Sequence, residues 1–231
     1  MIHAIQFGSR QIDFGLEYSG RKSLGITITP DLKVLVKAPV DTSIEKIKEK
    51  LRKKAPWIIR QQSFFLSFHP KTPARRFIGG ETHLYLGRQY RLKILQSKIE
   101  SVKLKGQFIE VETTDKAKVK QLVNDWYLTN AKTKFHSIAQ PLIDKFKKHK
   151  VEPSSIILRE MPTRWGSCTP KGKIILNPEL IKAPKGCIEY VIIHELCHLI
   201  HHDHTQKFID LQTKEMKDWE KWKMRLEKRL A

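Results

Sequence analysis

The stretch Cys187-Ile-Glu-Tyr-Val-Ile-Ile-His-Glu-Leu-Cys-His198 decides how this chain folds. Its first seven residues are predominantly apolar, which is typical of a helix buried in a protein core. On such a helix His194 and His198 lie one turn apart on the same face, and Glu195 follows the first of them. Burying these three ionisable side chains in so apolar a helix is costly unless a partner binds them.

The spacing of these residues indicates a zinc site. Two imidazoles one helical turn apart can reach the same Zn²⁺ ion at about 2.0–2.1 Å. Glu195 then lies beside the ion rather than on it, which is where a general base for a zinc-activated water belongs. The non-functional alternative is a buried helix in which His194 and His198 are simply hydrogen-bonded and Glu195 forms a salt bridge.

A third ligand is needed, and His204 is the leading candidate. It follows His198 by six residues, which is the spacing of zinc proteases that end this helix with a sharp turn. His201 stands at the turn position, where such enzymes usually have Gly, so a positive φ is expected there. Other side chains near the motif remain alternatives. The competing third ligands are His202, Glu215 and Glu220.

Residues around the ligands are expected to orient them. A carboxylate often accepts a hydrogen bond from a ligating imidazole, and Asp203 or Asp210 could do so here. We expect His201 and His202 to lie next to the ligands or in solvent. The residue that would stabilise a developing oxyanion is not identified by the sequence.

Charge is the strongest compositional feature of the 231 residues, which carry a formal net charge of +20. A field of this sign attracts polyanions, nucleic acid above all, and anionic membrane surfaces less specifically. The alternative is a solvated basic surface. No helix-turn-helix, zinc-finger or RNA-recognition signature accompanies the charge.

The remaining composition predicts a cytoplasmic protein. No apolar run approaches the roughly 18 residues of a membrane span, and the N-terminus does not resemble a secretory signal. Three scattered cysteines predict no disulfide partner. An apolar fraction of 40% is enough to build a core.

The pattern of apolar residues along the chain predicts an α+β protein in two parts. Residues 1–112 form a β-rich N-terminal module with a helical insert, and residues 113–231 form the domain that carries the histidines. Period-two alternation predicts strands at 11–18, 24–29, 32–37 and through 82–112. A helix that begins after Ser43 should break at Pro56, and a longer helix from Val119 should kink or divide at Pro141. No internal repeat is visible.

Residues 194–208 resemble the active helix of the YgjP-like zinc metallopeptidases, relatives of the SprT-like and wider zincin groups. A second element agrees, because Arg164-Trp-Gly-Ser-Cys168 and the following Lys173-Ile-Ile-Leu-Asn177 resemble a hairpin that precedes this helix in the family. The resemblance covers about residues 80–230. It departs from the family pattern at Ile209 and after Asn177, away from the proposed ligands.

This resemblance implies a zincin-like helical metallopeptidase core with a β-hairpin beside the active-site helix. A strand of that hairpin would pair with an extended peptide substrate. Trp165 would then line the cleft, and Arg164 would hold the hairpin in place or bind a substrate carbonyl. Packing in the core is the alternative role for Trp165. Cys168 and Cys197 are expected to be small buried hydrophobes.

The function that follows is a zinc-dependent metallopeptidase acting on a peptide or protein substrate. Zn²⁺ is held by His194, His198 and His204, and Glu195 is the general base. One alternative is a nucleic-acid-associated protein in which zinc is structural, or a protease that acts on DNA-bound proteins. Another is hydrolysis of an amide other than a peptide.

Overall fold

The computed structural model describes residues 2–8, 10–29, 31–66, 75–161 and 164–230, and these form a mixed α+β structure. The residues group into two compact units, 1–73 and 74–230. Each unit has a hydrophobic core of its own. None of the helices in the described ranges is both long enough and apolar enough to span a bilayer.

The first unit is a four-stranded sheet followed by one long helix. Its strands lie in the order β1-β2-β4-β3, with β2 and β4 parallel and the other neighbours antiparallel. Their bounds are β1 (Ile2–Phe7), β2 (Arg10–Ser19), β3 (Gly25–Ile28) and β4 (Val34–Pro39). Alternate residues of β4 are buried, as the period of the sequence predicts. The antiparallel pair of β3 and β4 confirms the hairpin predicted at 24–37.

Helix α1 (Ile44–Leu66) runs through Pro56, so the predicted break there is wrong. Its apolar stripe continues across the proline, because Leu51, Ala55 and Ile58 are all fully buried in the core of the first unit. Burial of this stripe outweighs the one backbone hydrogen bond that a proline cannot donate.

The second unit begins with another four-stranded sheet and a long helix. The strands lie in the order β5-β6-β8-β7. Their bounds are β5 (Thr82–Tyr85), β6 (Arg88–Gln96), β7 (Ser101–Lys105) and β8 (Phe108–Thr113). Asp115 caps a short 3-10 helix (Lys116–Lys118) that leads into α2 (Val119–Phe146). Pro141 does not divide α2, since the buried Ile138 and Ile143 carry its core face across the proline.

The boundary between the compact units falls at 73/74 along the chain, whereas the sequence predicts it at 112/113. Leu92, Ile109 and Val111 of the second sheet lie in the same core as Val123 and Phe135 of α2. The pattern of apolar residues does change near residue 113, from that of strands to that of a helix. A sheet is stable, however, only when another element covers its apolar face. Helix α2 supplies that cover, which makes the second sheet part of the histidine-bearing unit.

The two four-stranded sheets share one topology, although no repeat is visible in the sequence. Both place the second and fourth strands side by side in parallel and both are followed by a long helix. Three alternate residues of the fourth strand are buried in each sheet, namely Val34, Val36 and Ala38, and Ile109, Val111 and Thr113. The same ββββα architecture is therefore built twice from a shared burial pattern rather than from shared residues.

The rest of the second unit surrounds the histidine helix. A three-stranded sheet has the order β10-β11-β9, with β10 at an edge. Its strands are β9 (Ser155–Leu158), β10 (Gly166–Cys168) and β11 (Lys173–Leu176). The antiparallel β10–β11 pair is the predicted hairpin, whereas the parallel pairing of β9 with β11 was not predicted. The helices are α3 (Lys185–Cys197), α4 (Gln206–Glu215) and α5 (Trp219–Leu230), and further 3-10 helices span Lys147–His149 and Pro178–Lys182.

Candidate metal centre

Helix α3 brings the first two histidines together. Its other faces are buried against the core, where Ile188, Ile192 and Leu196 are fully inaccessible. This packing holds the backbone of α3 in place, because burial on this scale stabilises a helix far more than its intrinsic propensity does. The rings of His194 and His198 lie on the remaining face with their centroids 4.9 Å apart.

His204 completes a cluster of three imidazoles. Its Nε2 atom lies 3.1 Å from Nε2 of His194, and one ligating atom from each histidine lies within 4.8 Å of the others. A tetrahedral zinc ion with bonds of about 2.0–2.1 Å holds its ligand atoms about 3.3 Å apart. The spacing of the His194 and His204 nitrogens therefore fits a shared ion.

The chain reaches His204 without the strained turn expected at His201. Among the described residues, the non-glycine positions with positive φ are Leu32, Phe77, Leu86 and Lys150, so His201 is not one of them. The main-chain oxygen of His201 instead accepts a hydrogen bond from Nδ1 of His198 at 3.1 Å. The turn thus contributes a backbone acceptor to the site rather than a left-handed residue.

Hydrogen bonds from the rings of His194 and His198 select the tautomer that can bind a metal. Nδ1 of His194 lies 2.8 Å from Oε1 of Gln212 on α4. Because an amide or peptide oxygen can only accept, Nδ1 of both His194 and His198 carries the proton, and each Nε2 has a free lone pair. For these two rings the partners are Gln212 and the His201 carbonyl rather than the expected Asp203 or Asp210. The side chain of Asp210 accepts a hydrogen bond from Gln206.

Burial keeps His194 and His198 neutral. It lowers the pKa of His194 to about 4, against the opposing effect of the hydrogen bond to Gln212, and it lowers the pKa of His198 as well. Neutral imidazole is the form that ligates a metal. The donor set, its spacing and its protonation therefore all fit a divalent ion that prefers nitrogen ligands, such as zinc.

Phe208 packs under the whole cluster. Its ring centroid lies 5.0 Å from that of His194, 4.6 Å from that of His198 and 4.8 Å from that of His204. The side chain is fully buried, so the three imidazoles rest on a surface that water does not reach. This contact fixes the position of α4 against the three histidines.

Glu195 lies beside the cluster in a nearly dry environment. The residue is only 5% exposed. Burial raises the pKa of its carboxyl to about 8, against opposing effects of the charge on Arg164 and of a hydrogen bond from the backbone of Cys168. The charge of a metal ion at the histidines would act in the same direction as Arg164 and favour the carboxylate.

A cavity of about 700 Å³ opens onto these groups. Arg164, Trp165 and residues of β10 line it together with His194, Glu195, His198 and His204. Arg164 is exposed at the cavity and Trp165 is half-buried, so both predicted substrate-binding residues border the space where a substrate would lie. His202 also lines the cavity, although it does not belong to the ligating cluster.

The two cysteines near the site differ in exposure. Cys197 is fully buried, and burial raises the pKa of its thiol to about 12, as expected of a small apolar side chain. Cys168 is only half-buried and lines the cavity, so it is not the buried hydrophobe that we predicted.

Glu215 and Glu220, the carboxylate alternatives for the third ligand, lie outside the histidine cluster. The side chain of Glu215 is fully buried, with Lys148 Nζ at 2.9 Å and His149 Nε2 at 3.0 Å from its carboxylate. Burial alone would raise the pKa of Glu215, but hydrogen bonds from Lys148, His149 and Lys145 outweigh it and hold the pKa at about 2. Glu220 is exposed on α5 and does not belong to the histidine cluster.

Gln212 is the residue at this site that the sequence analysis missed. It is 1% exposed, and it follows the buried Phe208 by one helical turn on the core face of α4. The sequence did carry a signal for Gln212, because it places an amide where the helical period requires an apolar residue.

Comparison with known protein families gives one match. A model of the YgjP-like metallopeptidase domain matches residues 22–229, a longer stretch than the 80–230 over which the sequence motifs resemble that family. No curated protein and no solved structure matched the chain. Because the family model covers most of the 231 residues, this chain belongs to the YgjP-like metallopeptidase family.

Proposed function

We propose that this protein is a zinc-dependent peptidase with a zincin-like core and that His194, His198 and His204 hold the ion. The observation that carries the proposal is the cluster of three imidazoles whose ligating atoms lie within 4.8 Å of one another. A set of three protein ligands leaves a coordination position open for chemistry, whereas structural zinc sites are usually closed by four.

The residues around the cluster have distinct roles in this reaction. When bound, zinc supplies Lewis acidity at the scissile carbonyl and a lowered pKa for the attacking water. Glu195 accepts a proton from that water and delivers it to the leaving amine. Its burial limits competition from bulk water, and the charge of a bound ion would favour the carboxylate form that a base requires.

The edge of the three-stranded sheet supports binding of an extended peptide. Strand β10 lies at that edge and lines the cavity. An edge strand offers main-chain hydrogen bonds to a peptide that aligns beside it. Trp165 then contacts substrate side chains, and Arg164 binds a substrate carbonyl at the mouth of the cavity.

The basic composition does not support a competing function. Nucleic-acid binding would require more than a net charge of +20, and neither the family match nor the described residues favour it. The charge remains compatible with a solvated surface.

Metal content tests the ligand set. We expect about one zinc per chain by elemental analysis of the wild type, and a clear loss in His204→Ala purified without added metal. The matched control is His136→Ala, because His136 is exposed on α2. A wild type that stays free of zinc after reconstitution would overturn the proposal, and unchanged zinc in His204→Ala would remove that ligand.

Peptide cleavage tests the chemistry. A mixture of peptides of diverse sequence is incubated with the zinc-loaded wild type and with Glu195→Gln, and products are read by mass spectrometry. The wild type should cleave, while Glu195→Gln should retain zinc and lose hydrolysis. Cleavage by Glu195→Gln at the wild-type rate would exclude Glu195 as the base.

A further inference from the structure

Gly166 on β10 touches the side chain of Glu195. A Cβ atom on Gly166 would lie 2.5 Å from Oε1 and 2.8 Å from Cγ of Glu195, and 2.8 Å from Cγ1 of Val191. Cβ atoms essentially never approach other heavy atoms closer than 3.0 Å. Every residue type other than glycine would therefore displace one of these neighbours.

The backbone conformation of Gly166 gives no separate reason for a glycine. The described glycines with positive φ are Gly8, Gly80, Gly87, Gly106 and Gly172, and Gly166 is not one of them. Any residue could adopt its strand conformation. The requirement for glycine comes from the close approach of the Glu195 carboxyl alone.

Strand β10 cannot easily move away to make room. Gly166 pairs with the fully buried Leu176 of β11. Just after that position, Nδ2 of Asn177 donates to the main-chain oxygens of Met161 and Arg164 at 2.9 and 3.1 Å. Asn177 is itself 5% exposed, so these bonds are shielded from water. The strand is held on the side away from Glu195, and the flexible carboxyl is the part that must yield.

The same strand also holds the carboxyl by a hydrogen bond. The backbone of Cys168, two residues after Gly166, bonds the Glu195 carboxyl. Gly166 provides the space and Cys168 provides the donor, so the carboxyl is confined between two points of β10. Such confinement matters for a base that must meet its proton donor within hydrogen-bonding distance.

We propose that Gly166 is a positioning residue for Glu195, acting by leaving room for the carboxyl to lie against β10. This inference rests on the proposed function, since it assigns Gly166 to the placement of the general base. Gly166 has no side chain that could take part in the chemistry, so it acts through the carboxyl that it touches. Its substitution should shift the base while leaving the histidine cluster and the fold in place.

Kinetics of Gly166→Ala test this role. We expect unchanged zinc content, KM close to that of the wild type and kcat lowered roughly 100-fold, because a displacement of about 1 Å can cost that much. The matched control is Gly15→Ala, another strand glycine, whose Cβ would meet only Cδ2 of Leu35 at an ordinary 3.5 Å. A wild-type kcat in Gly166→Ala would overturn the proposal.

A further variant separates Glu195 from Val191. In Gly166→Ala/Val191→Ala the clash with Cγ1 is gone while the clash with the carboxyl remains, so kcat should stay low. If Val191→Ala restores kcat to the Gly166→Ala protein, the loss came from packing against Val191 and the proposal fails.

Thermal unfolding gives a readout that needs no activity. Overpacking at Gly166→Ala should lower Tm by roughly 2–12 °C, and the same substitution in a Glu195→Ala background should cost clearly less. An equal loss of Tm in the wild-type and Glu195→Ala backgrounds would show that Gly166→Ala does not act through the contact with Glu195. If the wild type cleaves no peptide but the costs differ, the proposed function fails while the contact between Gly166 and Glu195 stands.

Discussion

Replacing Gln212 by alanine is expected to weaken zinc binding by about 10- to 100-fold, although Gln212 touches no metal. Its Oε1 accepts the Nδ1 proton of His194 at 2.8 Å, and the residue is 1% exposed. Without this acceptor the imidazole of His194 can turn or change tautomer, and its Nε2 loses the electron density that a hydrogen-bonded Nδ1–H provides.

The expected loss corresponds to roughly 1.4–2.7 kcal/mol of binding free energy. Water cannot fully restore the bond, because Phe208 and the core face of α4 exclude it from this side of the ring. Gln212→Glu keeps an acceptor at the same distance from the helix and adds negative charge. We expect that variant to bind zinc at least as tightly as the wild type.

A competition titration against a chromophoric zinc chelator measures these affinities at neutral pH. Gln206→Ala is the matched control, since Gln206 lies on the same helix but is exposed and its side chain donates to Asp210. Far-ultraviolet circular dichroism confirms that each variant is folded. Equal affinities in folded Gln212→Ala and Gln206→Ala would refute the reasoning.

Three further predictions concern stability. The pKa of Glu215 is depressed from 4.5 to about 2, so its contribution is complete above pH 4.5 and is lost as the pH falls toward 2. Urea unfolding at a series of pH values should show a loss of about 3 kcal/mol over this range that Glu215→Gln lacks. Asn177→Ala should lower the free energy of unfolding by roughly 1–3 kcal/mol, because it removes a buried amide that donates to the main-chain oxygens of Met161 and Arg164; an unchanged urea midpoint would contradict this. Gly186→Ala should lower Tm by roughly 2–12 °C, since its Cβ would lie 2.5 Å from the Trp222 ring, whereas Gly79→Ala, with no atom within 4 Å, should not.

The strands and helices were largely predictable from local pattern. Period-two alternation correctly indicated the hairpin at 24–37, because alternate residues of β4 are buried. The hairpin at 164–177 was predicted from the resemblance to the family. The two proline positions were not predictable. Pro56 and Pro141 both lie inside continuous helices, since the cost of a lost backbone bond is local while the burial that offsets it comes from residues far along the chain.

The sequence alone predicted the cluster of histidines, because its members lie close together on the chain. His194 and Glu195 lie in the last turn of α3, His198 is the residue that caps it, and His204 follows six residues later, so spacing was enough to predict that the three histidines meet. Helical geometry is set by local bonds and needs no knowledge of the fold.

Only the tertiary structure decided which groups surround that cluster. The partner of the His194 ring is Gln212, which lies 18 residues further along the chain. The surface against Glu195 is Gly166, which precedes it by 29 residues. It also decided that the second sheet belongs with the histidines and that the ββββα architecture occurs twice. These contacts depend on how separate elements pack, and packing is governed by the shape and burial of whole faces rather than by the order of residues along any one of them.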